Sequence, residues 1–158
     1  MNYSDKALSI PPEFNGQAQL ILYTRYGDPR ECGWEGKWMS LWHVGEAHPW
    51  FPEKSIYVHK HFRPLLDAAF TELAGLGLHE EIQTMDCAHH LRYLNQGKGV
   101  LSVHSWGAAI DLNASLNLLG STGSWSDGFI AAMMRHSICC GQTWQGRPHP
   151  MHFAMVDG

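Results

Sequence analysis

The sequence predicts a small α+β domain, and three observations carry that expectation. The chain has 158 residues, of which 44% are hydrophobic and 16% charged. That supplies a core for one domain and too little charge for a disordered chain. A run from Lys60 to Leu76 repeats apolar residues at helical spacing, and a second helical stretch covers Trp125–Arg135. Short segments of strand character lie before, between and after them. No repeat, low-complexity block or linker divides the chain. One domain over 1–158 is therefore expected, with a loop-rich part at 1–55 and a core at 56–158.

Residues 1–55 are rich in breakers: Gly27-Asp28-Pro29, Gly33, Gly36, Gly45 and Pro49. Two short strands are expected there, near Gln19–Tyr23 and Trp38–Val44. In the 60–76 helix, Phe62, Leu65, Leu66, Ala69, Phe70 and Leu73 form the apolar stripe. Pro64 fits its first turn, and Gly75 or Gly77 ends it. Strands are expected at 81–86 and 100–104, and at 108–113 with one buried face. Residues 114–124 read as a Ser/Gly/Asn loop. Ser124 or Ser126 caps the second helix with Asp127 in its first turn, and the tail PMHFAMV is a final strand.

The formal charge is -4, with no basic block to neutralise phosphates, so nucleic acid and anionic membranes are not expected partners. Cys32, Cys87, Cys139 and Cys140 show no CxxC spacing, which argues against a cysteine-built zinc site and suits reduced thiols. The N-terminus MNYSDKALSIPPEF lacks the pattern of a signal peptide, and no apolar run approaches the roughly 20 residues that span a bilayer. A monomer made in the cytoplasm is expected.

Eleven histidines are many for this length, and histidine is the commonest side-chain metal ligand. His59 and His61 precede the first helix, but their spacing alone is a weak metal signal. The informative stretch is Ser102-Val-His104-Ser-Trp-Gly107-Ala-Ala-Ile-Asp111. On a straight helix His104 and Asp111 would be about 10 Å apart along the axis, too far to share an ion. A turn at Gly107 followed by a strand would bring them together. His152, on the tail strand, is the third candidate if that strand pairs near 108–113. Two histidines, one carboxylate and an open position make a catalytic zinc site.

SVHSWGAAIDLN closely resembles the SxHxxGxAxD motif of the zinc peptidases that include bacterial D-Ala-D-Ala carboxypeptidases and phage L-Ala-D-Glu endopeptidases (endolysins). GRPHPMHF resembles that family's closing motif. Trp125-Ser126 with Phe129, then Trp144, resemble the link between the two, and YGDPRECGWEGKWMSLW is similar to phage-type members. The resemblance implies an antiparallel sheet with a zinc cleft, Zn2+ held by His104, Asp111 and His152, and a peptidoglycan peptide as substrate. Arg92, in CAHHLRY, corresponds to a family arginine that would bind a substrate carboxylate or the developing oxyanion. Ser102 would touch substrate or support His104, and Trp106 would line the cleft or fill the core. Action on the cell wall, after release by a partner or on a virion, goes with the same resemblance.

One position departs from the family. Three residues before the last histidine it carries an acidic general base, and here that residue is His149. Three readings follow. His149 takes over as base, since its ordinary pKa of about 6.5 suits proton transfer near neutrality. It joins the metal as a fourth ligand and closes the site. Or it is an inert replacement, leaving an impaired murein-peptide or zinc-binding pseudo-enzyme. Glu80, Glu81 and Asp86 are acidic residues that could substitute from elsewhere. A non-cutting binding module and a structural zinc protein remain as competing functions.

Overall fold

In the computed structural model, which describes residues 10–95 and 98–158, a four-stranded antiparallel sheet is built around the expected 108–113 strand. Along the chain come α1 (Gln17–Tyr26), α2 (Trp34–Trp38), β1 (Met39–Trp42), α3 (Val44–Ala47), β2 (Ile56–His59) and α4 (Phe62–Gly75). Then follow β3 (Met85–Cys87), β4 (Tyr93–Asn95), β5 (Lys98–Leu101), β6 (Ala109–Leu112), α5 (Asp127–Arg135), β7 (Cys139–Gly141) and β8 (His149–Ala154). The main sheet has the order β3-β6-β8-β7, and β1-β2 and β4-β5 form two separate antiparallel pairs. The architecture is the expected α+β class.

Strand β6 is central and buried along its whole length. Side chains alternate across a strand, so Ile110 and Leu112 enter one apolar cluster with Phe153, while Ala109 enters another with Ala154. The first cluster is built on α4 and α5. Helix α4 buries Phe62, Leu66, Ala69, Phe70 and Leu73, each large one contributing about 1.5–3 kcal/mol. Ser126 caps α5 by accepting from Phe129 N–H at 3.2 Å. The second cluster gathers Phe14, Ala18, Leu22, Trp34, Leu101 and Trp106 under the N-terminal part of the chain.

Several expectations require correction. The segment expected as a strand at Gln19–Tyr23 lies inside α1: Ala18, Gln19 and Leu22 are buried at helical spacing, between Gly16 and Gly27. Its apolar run packs on one side of a helix, a pattern that a four-residue window reads as a strand. The part at 10–55 thus carries three short helices besides loops, and residues 1–9 of the loop-rich stretch lie outside the described residues. The strand expected at 81–86 forms only at its end, as β3 from Met85 to Cys87, and its first residue, Glu81, closes a 3-10 turn, Leu78–Glu81. The strand expected at 100–104 ends at Leu101, and His104 sits on a 3-10 turn, Val103–Trp106. The 108–113 strand has both faces buried, because neighbours pair on either edge and clusters cover both sides. All four cysteines are free. Among the described residues no helix is long and apolar enough to cross a membrane.

His59 closes β2 and is fully buried against Tyr26, Trp34 and Trp38. Its backbone N–H donates to the Gly107 carbonyl at 2.9 Å, so β2 braces the turn between the two motif residues. Gly107 has φ 62°, and an added Cβ would meet Met39 Sδ at 2.7 Å and His59 N at 2.8 Å. Gly107→Ala is expected to cost at least about 2 kcal/mol, from left-handed strain and the clash; unchanged denaturant midpoint would contradict it.

Burial, then the neighbouring charges of His61 and Lys60, push the His59 pKa down to about 4. The folded protein therefore keeps His59 neutral where the unfolded chain, at about 6.5, takes up a proton. Stability should fall as pH drops from about 6.5 to 4, by about 3 kcal/mol for this residue. Urea titrations across that range should show a shallower decline in His59→Phe than in the wild type.

Candidate metal centre

The pairing of β6 with β8 sets Asp111 directly opposite His152. His104 arrives from the 3-10 turn before β6. Ser102 caps that turn, its hydroxyl accepting from His104 N–H at 3.3 Å. The αL turn at Gly107 then returns the chain into β6, which brings Asp111 back to the histidine. Asp111 Oδ1 lies 3.3 Å from His104 Nε2 and 3.3 Å from His152 Nδ1. Two donors about 2.0–2.1 Å from one ion at the tetrahedral angle are about 3.3 Å apart, so these spacings suit a shared ion.

The hydrogen bonding supports the same reading. His104 Nδ1 donates to the Ala88 carbonyl at 2.7 Å, which leaves Nε2 as the nitrogen free to ligate. His104 Nε2 is buried without a hydrogen-bond partner, and so is His152 Nε2. Orphaned buried nitrogens are costly, and a cation at the centre would take up that of His104. Burial alone would raise the Asp111 carboxyl, but the His104 and His152 imidazoles beside it hold it well below the usual carboxylate range. Burial would lower His104, yet Asp111 and the Cys87 thiol outweigh it and raise it. His152 is lowered, first by burial, and stays neutral as a ligand must.

A cleft of about 140 Å3 opens onto these residues, lined by Gln19, Arg92, Ser102, His104, Trp144, His149 and His152 among others. A larger hollow of about 650 Å3 between His43 and Ser55 shares no residue with it and has no buried donor set. Arg92 is exposed at the cleft, and its backbone is pinned to the motif: Ser102 N–H and Ser105 Oγ donate to its carbonyl at 2.8 and 3.1 Å. Trp106 is a correction. It is fully buried, donates its indole N–H to the Gly27 carbonyl at 2.9 Å, and takes the core role rather than the cleft. Glu81 binds Ser126 at the start of α5, and Asp86 accepts from Ala114 N–H at 2.9 Å; neither they nor Glu80 line the cleft.

His149 reaches the cleft through an irregularity in β8. Cys140 pairs with Phe153, but Gly141 pairs with His149, so the strand bulges between them. The Trp125 indole N–H fixes the bulge by donating to the Pro150 carbonyl at 2.8 Å. His149 and His152 then stack, rings 5.0 Å apart and 9° from parallel. Imidazole lone pairs lie in the ring plane, so an ion in the plane of His152 lies outside that of His149. The stack thus opposes the fourth-ligand reading. Burial, above all, pushes the His149 pKa down to about 4 and keeps it neutral.

Sequence reasoning missed three residues at or beside the site: Gln19, Trp144 as a cleft wall, and Cys87. The ligand atoms of Cys87, His104 and Asp111 lie within 4.8 Å of one another. With Asp111 as its β6 partner, Cys87 owes its position to sheet register, and no spacing rule signals that.

Residues 95–155 match the family model described as D-alanyl-D-alanine carboxypeptidase. The match covers 61 of the 158 residues. It takes in His104, Asp111, His149 and His152 and stops short of Cys87 and Arg92. No curated protein and no solved structure gives a match.

A Cβ on Gly141 would run into the His149 carbonyl. Gly141→Ala is expected to cost about 1–3 kcal/mol and to move the His149 ring off His152. Denaturant unfolding and the histidine ring signals in NMR check the two effects.

Proposed function

We propose that this chain is a zinc-dependent peptidase that hydrolyses the peptide stems of peptidoglycan. The observation that carries the reading is that His104 Nε2 and His152 Nδ1 each lie 3.3 Å from the buried Asp111 Oδ1, beside a cleft and within the stretch that matches a peptidase family. Two imidazoles and a carboxylate are the donor set of a catalytic zinc site. When bound there, zinc supplies Lewis acidity toward a scissile carbonyl and makes water a stronger acid.

The chain's own residues supply the rest. Arg92, exposed at the cleft, binds a substrate carboxylate or the oxygen on which negative charge develops. Ser102 is a positioning residue, because its hydroxyl holds the turn that carries His104. Trp144 walls the cleft with its indole N–H held by Asp157 at 3.0 Å. His149, neutral and beside His152, accepts the proton of the attacking water and returns it to the leaving amine. Stem peptides bring free carboxylates, and the cleft meets them with Arg92 and neutral imidazoles. Such an enzyme would reach the wall after release by a lysis partner, or carried on a virion.

A second reading has one observation in its favour. His149 carries no negative charge, and burial takes away the near-neutral basicity that an imidazole would otherwise bring to proton transfer. The protein would then bind zinc and murein peptide with little turnover.

Purified sacculi incubated with the zinc-loaded protein should release new amines above a His104→Ala blank, and product masses would name the bond. No release from the wild type, with release restored by His149→Asp, would establish the impaired form. No release from either would overturn the peptidase reading.

A further inference from the structure

One residue of the cleft has no task in the chemistry above. Gln19 stands on the buried face of α1 with Ala18 and Leu22, is 6% exposed, and lines the cleft. We propose that Gln19 is a specificity-determining residue, whose amide oxygen accepts a hydrogen bond from a main-chain N–H of the peptide bound there. The proposal rests on the peptidase reading and deepens it, by naming what the cleft recognises besides a carboxylate. Gln19 lies outside the matched stretch, so the contact comes from this chain's own N-terminal part.

A buried glutamine must satisfy both ends of its amide or cost stability. The fold accounts for one end. Gln19 Nε2 donates to the Leu101 carbonyl at 3.0 Å, which ties α1 to the end of β5. That bond also fixes which way the amide faces, since its oxygen in the same place would meet another acceptor. The other end has no such account. No described residue donates to Gln19 Oε1, yet the oxygen is not sealed in the core. Gly16 keeps the space around it open, because a Cβ there would run into Gln19 Oε1. An apolar side chain would complete the α1 stripe at lower cost, and the tie to Leu101 uses only the nitrogen.

The placement of Arg92 gives the oxygen its partner. Leu101 is followed by Ser102, whose N–H donates to the Arg92 carbonyl at 2.8 Å. Gln19 and Arg92 are thus anchored to adjacent residues of one segment, and both line the cleft with His149 and His152. The Arg92 side chain offers only donors and suits a carboxylate, while Gln19 Oε1 offers only an acceptor. A peptide with a free carboxylate complements both, because its backbone carries N–H groups as well. An anion without N–H donors complements Arg92 alone.

A synthetic stem tetrapeptide is the probe, with analogues in which one backbone amide at a time is replaced by an ester. Recognition by the zinc-loaded protein is read as kcat/KM where the peptide is cut and as a calorimetric Kd where it is not. Gln19→Met should weaken the tetrapeptide by about 5- to 100-fold, the cost of leaving a bound N–H without its acceptor. That penalty should vanish for one ester analogue, the one lacking the N–H that Gln19 reads, and persist for the others. Gly16→Ala crowds the oxygen but keeps the Leu101 donor, and its penalty should show the same ester dependence. Zinc affinity should be unchanged in both variants. In the wild type, the NMR signals of the Gln19 side-chain amide should shift with the tetrapeptide and shift less with that analogue, which requires no variant to fold. No penalty in Gln19→Met, a penalty equal for every analogue, or a parallel loss of zinc affinity would each overturn the proposal alone. Neither binding nor cutting of the tetrapeptide by the wild type would overturn it together with the peptidase reading.

Discussion

A carboxylate buried between two imidazoles constrains the rest of this structure. Asp111 is 6% exposed, and a buried carboxylate that lacks compensation costs several kcal/mol. In the chain without an ion, His104 supplies the compensation: its proton is held tightly while the Asp111 proton is given up. A divalent cation can do the same work by displacing that proton. The core is therefore organised so that either a proton or a cation must occupy the centre. A polar group placed for packing alone would not need this, since an apolar residue would fill β6 at lower cost.

The backbone devices around the site hold those three side chains at that distance. The β6–β8 register fixes Asp111 opposite His152. The left-handed Gly107 turn, braced by the His59 N–H, fixes His104. Beyond the end of β6, Asn113 accepts from Gln83 N–H at 2.7 Å and from Thr84 N–H at 3.0 Å, which ties the start of β3 to the central strand. The bulge near Pro150, held by Trp125, turns His149 onto the same side as His152. Each device uses a backbone amide or carbonyl that must find a partner once buried, so building the site and satisfying the core are the same task.

Much of this was legible in the sequence, for identifiable reasons. The α4 stripe repeats at helical spacing over four turns, and α5 has its own cap, so both helices could be read locally. His104, Gly107 and Asp111 could be read as a turn and strand because their spacing excludes a helix. The errors fall where the answer is set by distant partners. The Gln19–Tyr23 segment is apolar enough for either secondary structure, and only its packing under Leu101, to whose carbonyl Gln19 donates at 3.0 Å, makes it a helix. Trp106 was ambiguous because an indole suits a cleft as well as a core; the carbonyl of Gly27, far away in sequence, decides it. Cys87 was set aside because cysteine-built metal sites are recognised by short spacings, and here sheet register does what spacing usually does.

The histidine at position 149 changes the charge that the centre presents to a substrate. An acidic residue at 149 would give a centre of two carboxylates and a divalent ion, with no net charge. Replacing it by a neutral imidazole leaves the ion one charge in excess, in a place where burial magnifies that excess. Burial already depresses His149, which keeps that residue from adding a second positive charge. An anionic ligand entering beside Arg92 would offset that excess. A centre that leaves its charge for the substrate to cancel attracts an anionic substrate more strongly than one already neutralised by two carboxylates of its own.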